Sequence, residues 1–321
     1  MKTSLRLLAL LALACPGAAV AQDYPNHPIK VLVPWPPGQA TDLAARMVSE
    51  KLVPALGQPL VIDNRPGAGG VIGSEVASKA APDGYTLLAG SSGPISISPN
   101  VQKVAYDPQK DFAPISLLAV NPYALVVNPS IPASNVKELI ALLRANPGKY
   151  SFSSSGSGAS SHLASVLFNS MANVNAVHVP YKGSSPSVSD LVSGQVAYTF
   201  ETVPAVITFV KSGRLRALAV STARRSSAIP DLPTVAEAGE LPGYEMSGWI
   251  GFMAPAGMPR AISGRLSSEI RKVLEARDIK ERFLALGLEP AGNTPEEFAE
   301  FLRKQNDRYG SIVKQANLKA D

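Results

Sequence analysis

Between Ile29 and Val48 the chain reads IKVLVPWPPGQATDLAARMV, a pattern that few folds accommodate. Val31, Leu32 and Val33 form a short apolar run of the kind found in strands covered on both faces, and Pro34, Pro36, Pro37 and Gly38 end it abruptly. Leu43, Met47, Val48 and Leu52 then recur at helical spacing, so one face of a helix can pack back on the sheet. Thr41 or Asp42 is expected to cap that helix. A buried strand leading through such a loop into a helix aims the first free N–H groups, with their partial positive charge, over the strand end. Trp35, Pro37, Gly38, Gln39, Ala40, Thr41 and Asp42 are therefore the first candidate ligand-binding residues, placed to cradle an anion. The competing reading is an ordinary βα turn whose prolines only fix the path of the chain.

The theme repeats. Pro59 to Ile62 reads as a second strand, Val71 to Lys79 as a helix, and Tyr85 to Ala89 as a third strand that ends in a polar loop, Gly90 to Gly93. Ser91 and Ser92 in that loop can line the same cleft as Gly38. Gly67, Gly69 and Gly73 are spaced GxGxxxG rather than the GxGxxG of a dinucleotide site, so they fit a tight turn and close helix packing better. Strands alternating with helices in this way imply a parallel, doubly wound sheet with ligands at the carboxyl ends of its strands. From Pro114 to Val127 two apolar runs are broken by Asn121-Pro122, as expected for a strand that leaves one domain and enters a second through a hinge.

Past that hinge, Asn135 to Asn146 is a helix, and Tyr150 to Ser153 a strand followed by a loop that is nearly all Ser and Gly. Ser155, Gly156, Ser157, Gly158, Ser161 and His162 are candidates there, because such a loop brings amides and hydroxyls close to a carboxylate without bulky side chains. His162 can equally be a hydrogen-bonding residue at the helix start. No acidic residue stands between Glu138 and Asp190, whereas Arg144, Lys149, His162, His178 and Lys182 do, which favours an anionic ligand and makes Lys182 a further candidate. Helices are expected from Ser187 to Ser193 and from Val203 to Lys211. Glu201 ends the strand from Val196 and either touches a distal donor on the ligand or caps the second of these helices. Thr234 with Glu237 forms a capping box, Met246 to Met253 reads as a return crossing, and the tail is helical from Ile262 to Ala276 and from Thr294 to about Ala316.

The chain has 321 residues, 45% of them hydrophobic and 17% charged, enough for two packed domains and too apolar for disorder. Residues 1–21 read as a secretory signal: Lys2 and Arg6, an apolar core from Leu7 to Ala14, and a small-x-small site at Ala19-Val20-Ala21 before Gln22. The single cysteine, Cys15, lies within it, and lipid anchoring there is the less favoured alternative to cleavage before Gln22. Cleavage leaves no cysteine for disulfides, thiolate metal sites or nucleophilic catalysis. The net charge of +5 includes Lys2 and Arg6, and no Lys/Arg run supports a nucleic-acid partner. No metal-ligand cluster or cofactor motif stands out.

VPWPPGQATDLAAR (Val33 to Arg46), NRPGAGGVIGSEVA (Asn64 to Ala77), PDGYTLL (Pro82 to Leu88), VPYKGSSP (Val179 to Pro186), GRLRALAVSTARR (Gly213 to Arg225), PDLPTVAEAG (Pro230 to Gly239) and APAGMP (Ala254 to Pro259) resemble, in order, the Bug family. These are periplasmic receptors of tripartite tricarboxylate transporters. The resemblance implies an α/β fold of two Rossmann-like lobes, the type II periplasmic-binding-protein or Venus-flytrap architecture. One lobe would comprise residues 22–120 and 247–321 and the other residues 121–246, with hinge crossings near 115–127 and 244–254. It also implies that Pro36 to Asp42 and Ser155 to Ser161 hold a carboxylate through amides, hydroxyls and water, without an arginine clamp. Gln39 stands where the family commonly has a second Gly, and Glu201 where it commonly has Asp.

The function expected on these grounds is a monomeric periplasmic receptor that closes on a small carboxylate and presents it to membrane permease subunits, with no cofactor. A sensing partner of a signalling system is an alternative with the same sequence features. A secreted carboxylester hydrolase fits poorly, for there is no GxSxG elbow, and His27, His162 and His178 are the only histidines that could serve as a base. Trp35 and Trp249 can flank a ring in the ligand or serve as apolar wall.

Overall fold

The computed structural model describes residues 24–227 and 229–315. The signal segment, its cleavage site and Cys15 lie outside the described residues. In chain order the elements are β1 (Ile29–Val33), α1 (Ala40–Leu56), β2 (Leu60–Asn64), α2 (Val71–Ser78), β3 (Thr86–Ser91), α3 (Ser98–Val101), β4 (Phe112–Val127), α4 (Val136–Ala145), β5 (Ser151–Ser154), α5 (Ser160–Ala172), β6 (Val177–Pro180), α6 (Ser184–Val192), β7 (Tyr198–Thr202), α7 (Val203–Lys211), β8 (Arg216–Val220), α8 (Val235–Gly239), β9 (Ser247–Pro255), α9 (Arg260–Glu275), α10 (Arg277–Ala285), β10 (Glu289–Pro290) and α11 (Pro295–Gln315).

Two sheets share one strand. In the first, β2, β1 and β3 run parallel, β9 lies antiparallel beside β3, and β4 lies antiparallel beside β9. In the second, β7 and β8 both pair antiparallel with the end of β4, and β5 and β6 extend the sheet parallel to β7. β4 spends residues Phe112 to Pro122 beside β9 and Tyr123 to Val127 between β7 and β8. Asn121-Pro122 does not break the strand. Pro122 has no N–H to give a neighbour, and β4 has a partner on only one side there: β10 ends opposite Ala119 and Val120, and the second sheet begins opposite Tyr123.

The return crossing is tied to β4 by one residue. Buried Ser221, just past β8, accepts from Tyr123 N through its Oγ at 3.1 Å, donates its N–H to Tyr123 O at 2.8 Å, and accepts from Met246 N at its carbonyl at 2.7 Å. Its hydroxyl also donates to Met246 O. Both connections between the sheets therefore run past a single buried serine.

Helices cover both faces, as the apolar strands require. Val48 and Leu52 on α1 are fully buried in one cluster with Ile29, Val31 and Val33 of β1 and with Leu266 and Ile270 of α9. Burying each such side chain stabilises the fold by roughly 1.5–3 kcal/mol. α1 ends at Gly57, whose φ of 71° is left-handed and whose N–H caps Val53 O at 2.8 Å. In the second sheet, Val188 and Leu191 of α6 and Val203 and Val206 of α7 pack on Ala124 and Val126 of β4. Phe298 and Leu302 of α11 share a cluster with Trp249 and with Phe168 and Phe200, so one apolar core runs through both sheets.

Several expectations need correction. The N-cap of α1 is Gln39, with extended backbone and no side-chain cap, so neither Thr41 nor Asp42 caps it. Residues 90–93 are not simply a loop: β3 continues to Ser91, and a π-helical turn, Gly93–Ile97, leads into α3. α6 starts at Ser184, three residues before the expected Ser187. Glu201 lies inside β7 rather than at its end, and the N-cap of α7 is Thr202. α10 follows α9 directly, separated by Ala276 with extended backbone.

Candidate functional site

The carboxyl ends of β1, β3, β5 and β7 meet over one cavity, and α1, α5, α6 and α7 begin at its wall. Ala40 and Thr41 open α1, Ser160 opens α5, Ser184 opens α6, and Thr202 caps α7; all five residues line the cavity. The first intrahelical bond of α1 is Leu43 N to Gln39 O and that of α5 is Leu163 N to Ala159 O, so the amides before them are free of helical partners. Each such terminus presents roughly half an elementary positive charge. No lining residue is charged. Four helix termini therefore supply the cavity's electrostatic preference, which is for an anion.

The remaining wall comes from Trp35, Gln39, Ser91, Ser92 and Gly93 of the first sheet's loops, Ser155 of the second's, and Asn121, Tyr123 and Trp249 of the two crossings. Trp35 Nε1 donates to Ser91 Oγ at 2.8 Å, which fixes the indole against β3. Ser92 Oγ and Ser160 Oγ share a 2.7 Å hydrogen bond across the cleft, and Ser98 Oγ donates to Gly158 O at 3.4 Å. The two sides are thus closed on each other. With the two sides joined in this way, the space between these walls is narrow.

The polar lining is not satisfied within the protein. Among the described residues, Gln39 Nε2, Trp249 Nε1, Asn121 Oδ1 and Thr202 Oγ1 are buried at this cavity without a hydrogen-bond partner. Glu201 Oε1, immediately behind Ser184 and Thr202, is in the same condition. Buried polar atoms normally find partners, so five unmatched ones around one cavity mark the place of a polar guest.

Two carboxylates near the site have opposite surroundings. Asp42 is buried, which opposes ionisation, but Arg46, the Gly38 N–H at 2.8 Å and Asn64 at 2.9 Å outweigh that and hold its carboxyl below the usual range. Asn64 also donates to Trp35 O at 2.9 Å, so Asp42 braces the loop from behind. Glu201 is fully buried, and this pushes its carboxyl up to about 7 against the lowering effect of Ser184 Oγ at 2.7 Å and Thr202 N at 3.2 Å. No basic side chain pairs with it among the described salt bridges.

Of the residues singled out from sequence, Trp35, Gln39, Ala40, Thr41, Ser91, Ser92 and Ser155 line this cavity. Gly156, Ser157 and exposed Lys182 line a second space, which shares Trp35 and Ser155 with the first and is also lined by the glycine-rich stretch Gly67 to Gly70. Pro37, Gly38, Asp42, Gly158, Ser161, His162 and Glu201 are on neither wall. Ser161 Oγ accepts from Ser155 N at 2.9 Å, which shapes the Ser/Gly loop. His162 Nδ1 accepts from Gly158 N at 3.3 Å while its ring stacks on His178 at 3.7 Å, so it is an internal support of that loop. Sequence reasoning missed Gly93, Asn121, Tyr123, Ser160, Ser184 and Thr202 and offered Trp249 as either a ring-flanking residue or apolar wall and core. Ser160, Ser184 and Thr202 carried a readable signal as hydroxyl residues at helix starts.

Residues 44–318 match the family described as "Tripartite tricarboxylate transporter family receptor". The chain belongs to that family. Protein BugT of Bordetella pertussis (strain Tohama I) is 37% identical over 321 residues, covering 98% of this chain and 98% of BugT. The structure of R. palustris Rpa4515 with adipate has a TM-score of 0.89 at 33% identity, over 93% of this chain and 100% of that one. MatC of Rhodopseudomonas palustris with bound malate has a TM-score of 0.85 at 30% identity, over 90% and 100%. The receptor's two sheets are accordingly the two lobes of a periplasmic-binding-protein fold, with the cavity at their junction. Among the described residues no helix is long and apolar enough to cross a membrane.

Proposed function

We propose that this receptor captures a small carboxylate in the inner cavity by closing its two lobes, residues up to 120 with those from 247 onward against residues 121–246, and presents the closed form to permease subunits of a tripartite transporter. The observation that carries this reading is the convergence of four helix N-termini on a cavity without a charged wall, where buried Gln39, Trp249 and Thr202 offer unmatched donors. Adipate and malate in the two relatives' structures are small acids of the kind such a cavity favours. Closure needs a ligand that binds the closed state better than the open one. A carboxylate held by α1 on one side and by α5, α6 and α7 on the other meets that condition. The protein acts as a monomer in the periplasm, and catalysis has no part in the cycle.

The test is thermal unfolding of the mature protein, refolded free of copurified ligand, with a panel of small carboxylic acids and their primary amides. An acid at 100 times its Kd adds about 2.7 kcal/mol of stability. Stabilisation by an acid and not by its amide is the expected result. Equal shifts with both, or none across the panel, would contradict the carboxylate reading.

A further inference from the structure

Glu201 lies directly behind Ser184 and Thr202, two residues of the inner cavity's wall, and keeps one carboxylate oxygen unmatched. Its Oε2 is doubly engaged, by Ser184 Oγ at 2.7 Å and Thr202 N at 3.2 Å, and this fixes the plane of the group. Its Oε1 is buried and has no partner among the described residues. The sheet register places Glu201 opposite Ala124 and Thr202 opposite Tyr123, so the residues on either side of it in space, Tyr123, Ser184 and Thr202, all line the cavity. A second acceptor on the same cavity, Asn121 Oδ1, is also unmatched. A guest consisting of a carboxylate alone would answer Gln39 Nε2, Trp249 Nε1 and the helix termini, yet leave these acceptors unpaired.

We propose that Glu201 determines which acids this receptor takes: the solute carries, besides its carboxylate, a hydrogen-bond donor, an ammonium or a hydroxyl, that pairs with Glu201 Oε1. The proposal rests on the carboxylate reading above and narrows its ligand class. Sites that pair a ligand donor discriminate strongly against the analogue lacking it, because the site's own buried group is then stranded. Glu201 thereby rejects plain acids of the same length. The wall formed by Ser184 and Thr202 holds the carboxylate in one orientation, so the position of the donor along the ligand is selected along with its presence.

The experiment is calorimetric titration of the intact mature protein with two matched sets: butanoate, 4-hydroxybutanoate and 4-aminobutanoate, and succinate, malate and aspartate. In at least one set the donor-bearing member binds tenfold or more tightly than its parent. E201Q keeps an acceptor but loses the charge, so it abolishes a preference for ammonium and leaves one for hydroxyl; E201L abolishes both. Each variant is first shown by its unfolding transition to be folded, and Glu201→Ala, which also removes the acceptor, replaces E201L if that variant is not. Parent acids binding as tightly as their donor-bearing partners, or a preference that survives in both variants, overturns the role of Glu201 and leaves the carboxylate reading standing. No binding by any of the six acids overturns both.

Discussion

The carboxyl of Glu201 makes the receptor's stability depend on pH in a direction opposite to that of a paired carboxylate such as Asp42. In the unfolded chain it titrates near 4.5, and burial raises it to about 7 in the folded protein. Below pH 4.5 the group is neutral in both states and adds no penalty. As the pH rises through 4.5 the unfolded chain ionises first, so folding must retain a proton, and the cost grows until the folded group ionises near 7. A shift of that size corresponds to about 3 kcal/mol at 1.36 kcal/mol per pH unit. Glu201→Gln removes the titration and keeps the shape. Urea unfolding of the ligand-free protein at pH 4.5 and pH 8 supplies the comparison: the wild type should lose about 3 kcal/mol more than the variant between the two. Parallel loss in the two proteins, to within about 1 kcal/mol, would show that the carboxylate is solvated or paired and would refute the reasoning.

Three further outcomes are expected. Ser221→Ala strands the Tyr123 N–H where β4 passes from one sheet to the other and should cost about 1–3 kcal/mol in denaturant unfolding, whereas an unchanged midpoint would show that this hydrogen bond does not stabilise the crossing. Gly69→Ala places a Cβ 2.9 Å from Ser157 O across the cleft, at a φ of +63°; it should weaken ligand affinity at least about tenfold by blocking closure, measured calorimetrically. Gln39→Ala removes a buried, unmatched donor, so ligand affinity should fall by about 1.5–3 kcal/mol while the ligand-free protein loses no stability, with calorimetry and thermal unfolding as the two readouts.

What the sequence revealed was whatever local periodicity encodes. The apolar run Val31 to Val33, the helical face of Val48 and Leu52, and the capping box of Thr234 and Glu237 all depend on residues within a turn or two of one another, and each has its structural counterpart. The start of α1 was harder to read, because the cap comes from backbone: the Pro36 to Gln39 turn, with Gln39 N on Pro36 O at 3.4 Å, leaves Asp42 to brace Gly38 instead. α6 begins early because Gly183, at φ 114°, turns the chain five residues before Val188, the first apolar position of the helix. The cavity wall was the least readable part. Asn121, Tyr123 and Trp249 reach it through the register of β4 with β9 and β7, a long-range property that no local pattern carries. Glu201 could be flagged as an acid near a strand end, but its unmatched oxygen appears only once Ser184, 17 residues away in sequence, is seen to occupy the other one.

The central claim is that helix N-termini, and no basic side chain, hold the ligand's charge. Backbone amide NMR of the labelled receptor, titrated with an acid that stabilises it and then with the acid's amide, tests this most directly. Large downfield proton shifts at Ala40, Thr41 and the first residues of α5, produced by the acid and not by the amide, are the predicted result. Shifts centred on Lys182, with the amides of Ala40, Thr41 and Ser160 unmoved, would contradict it.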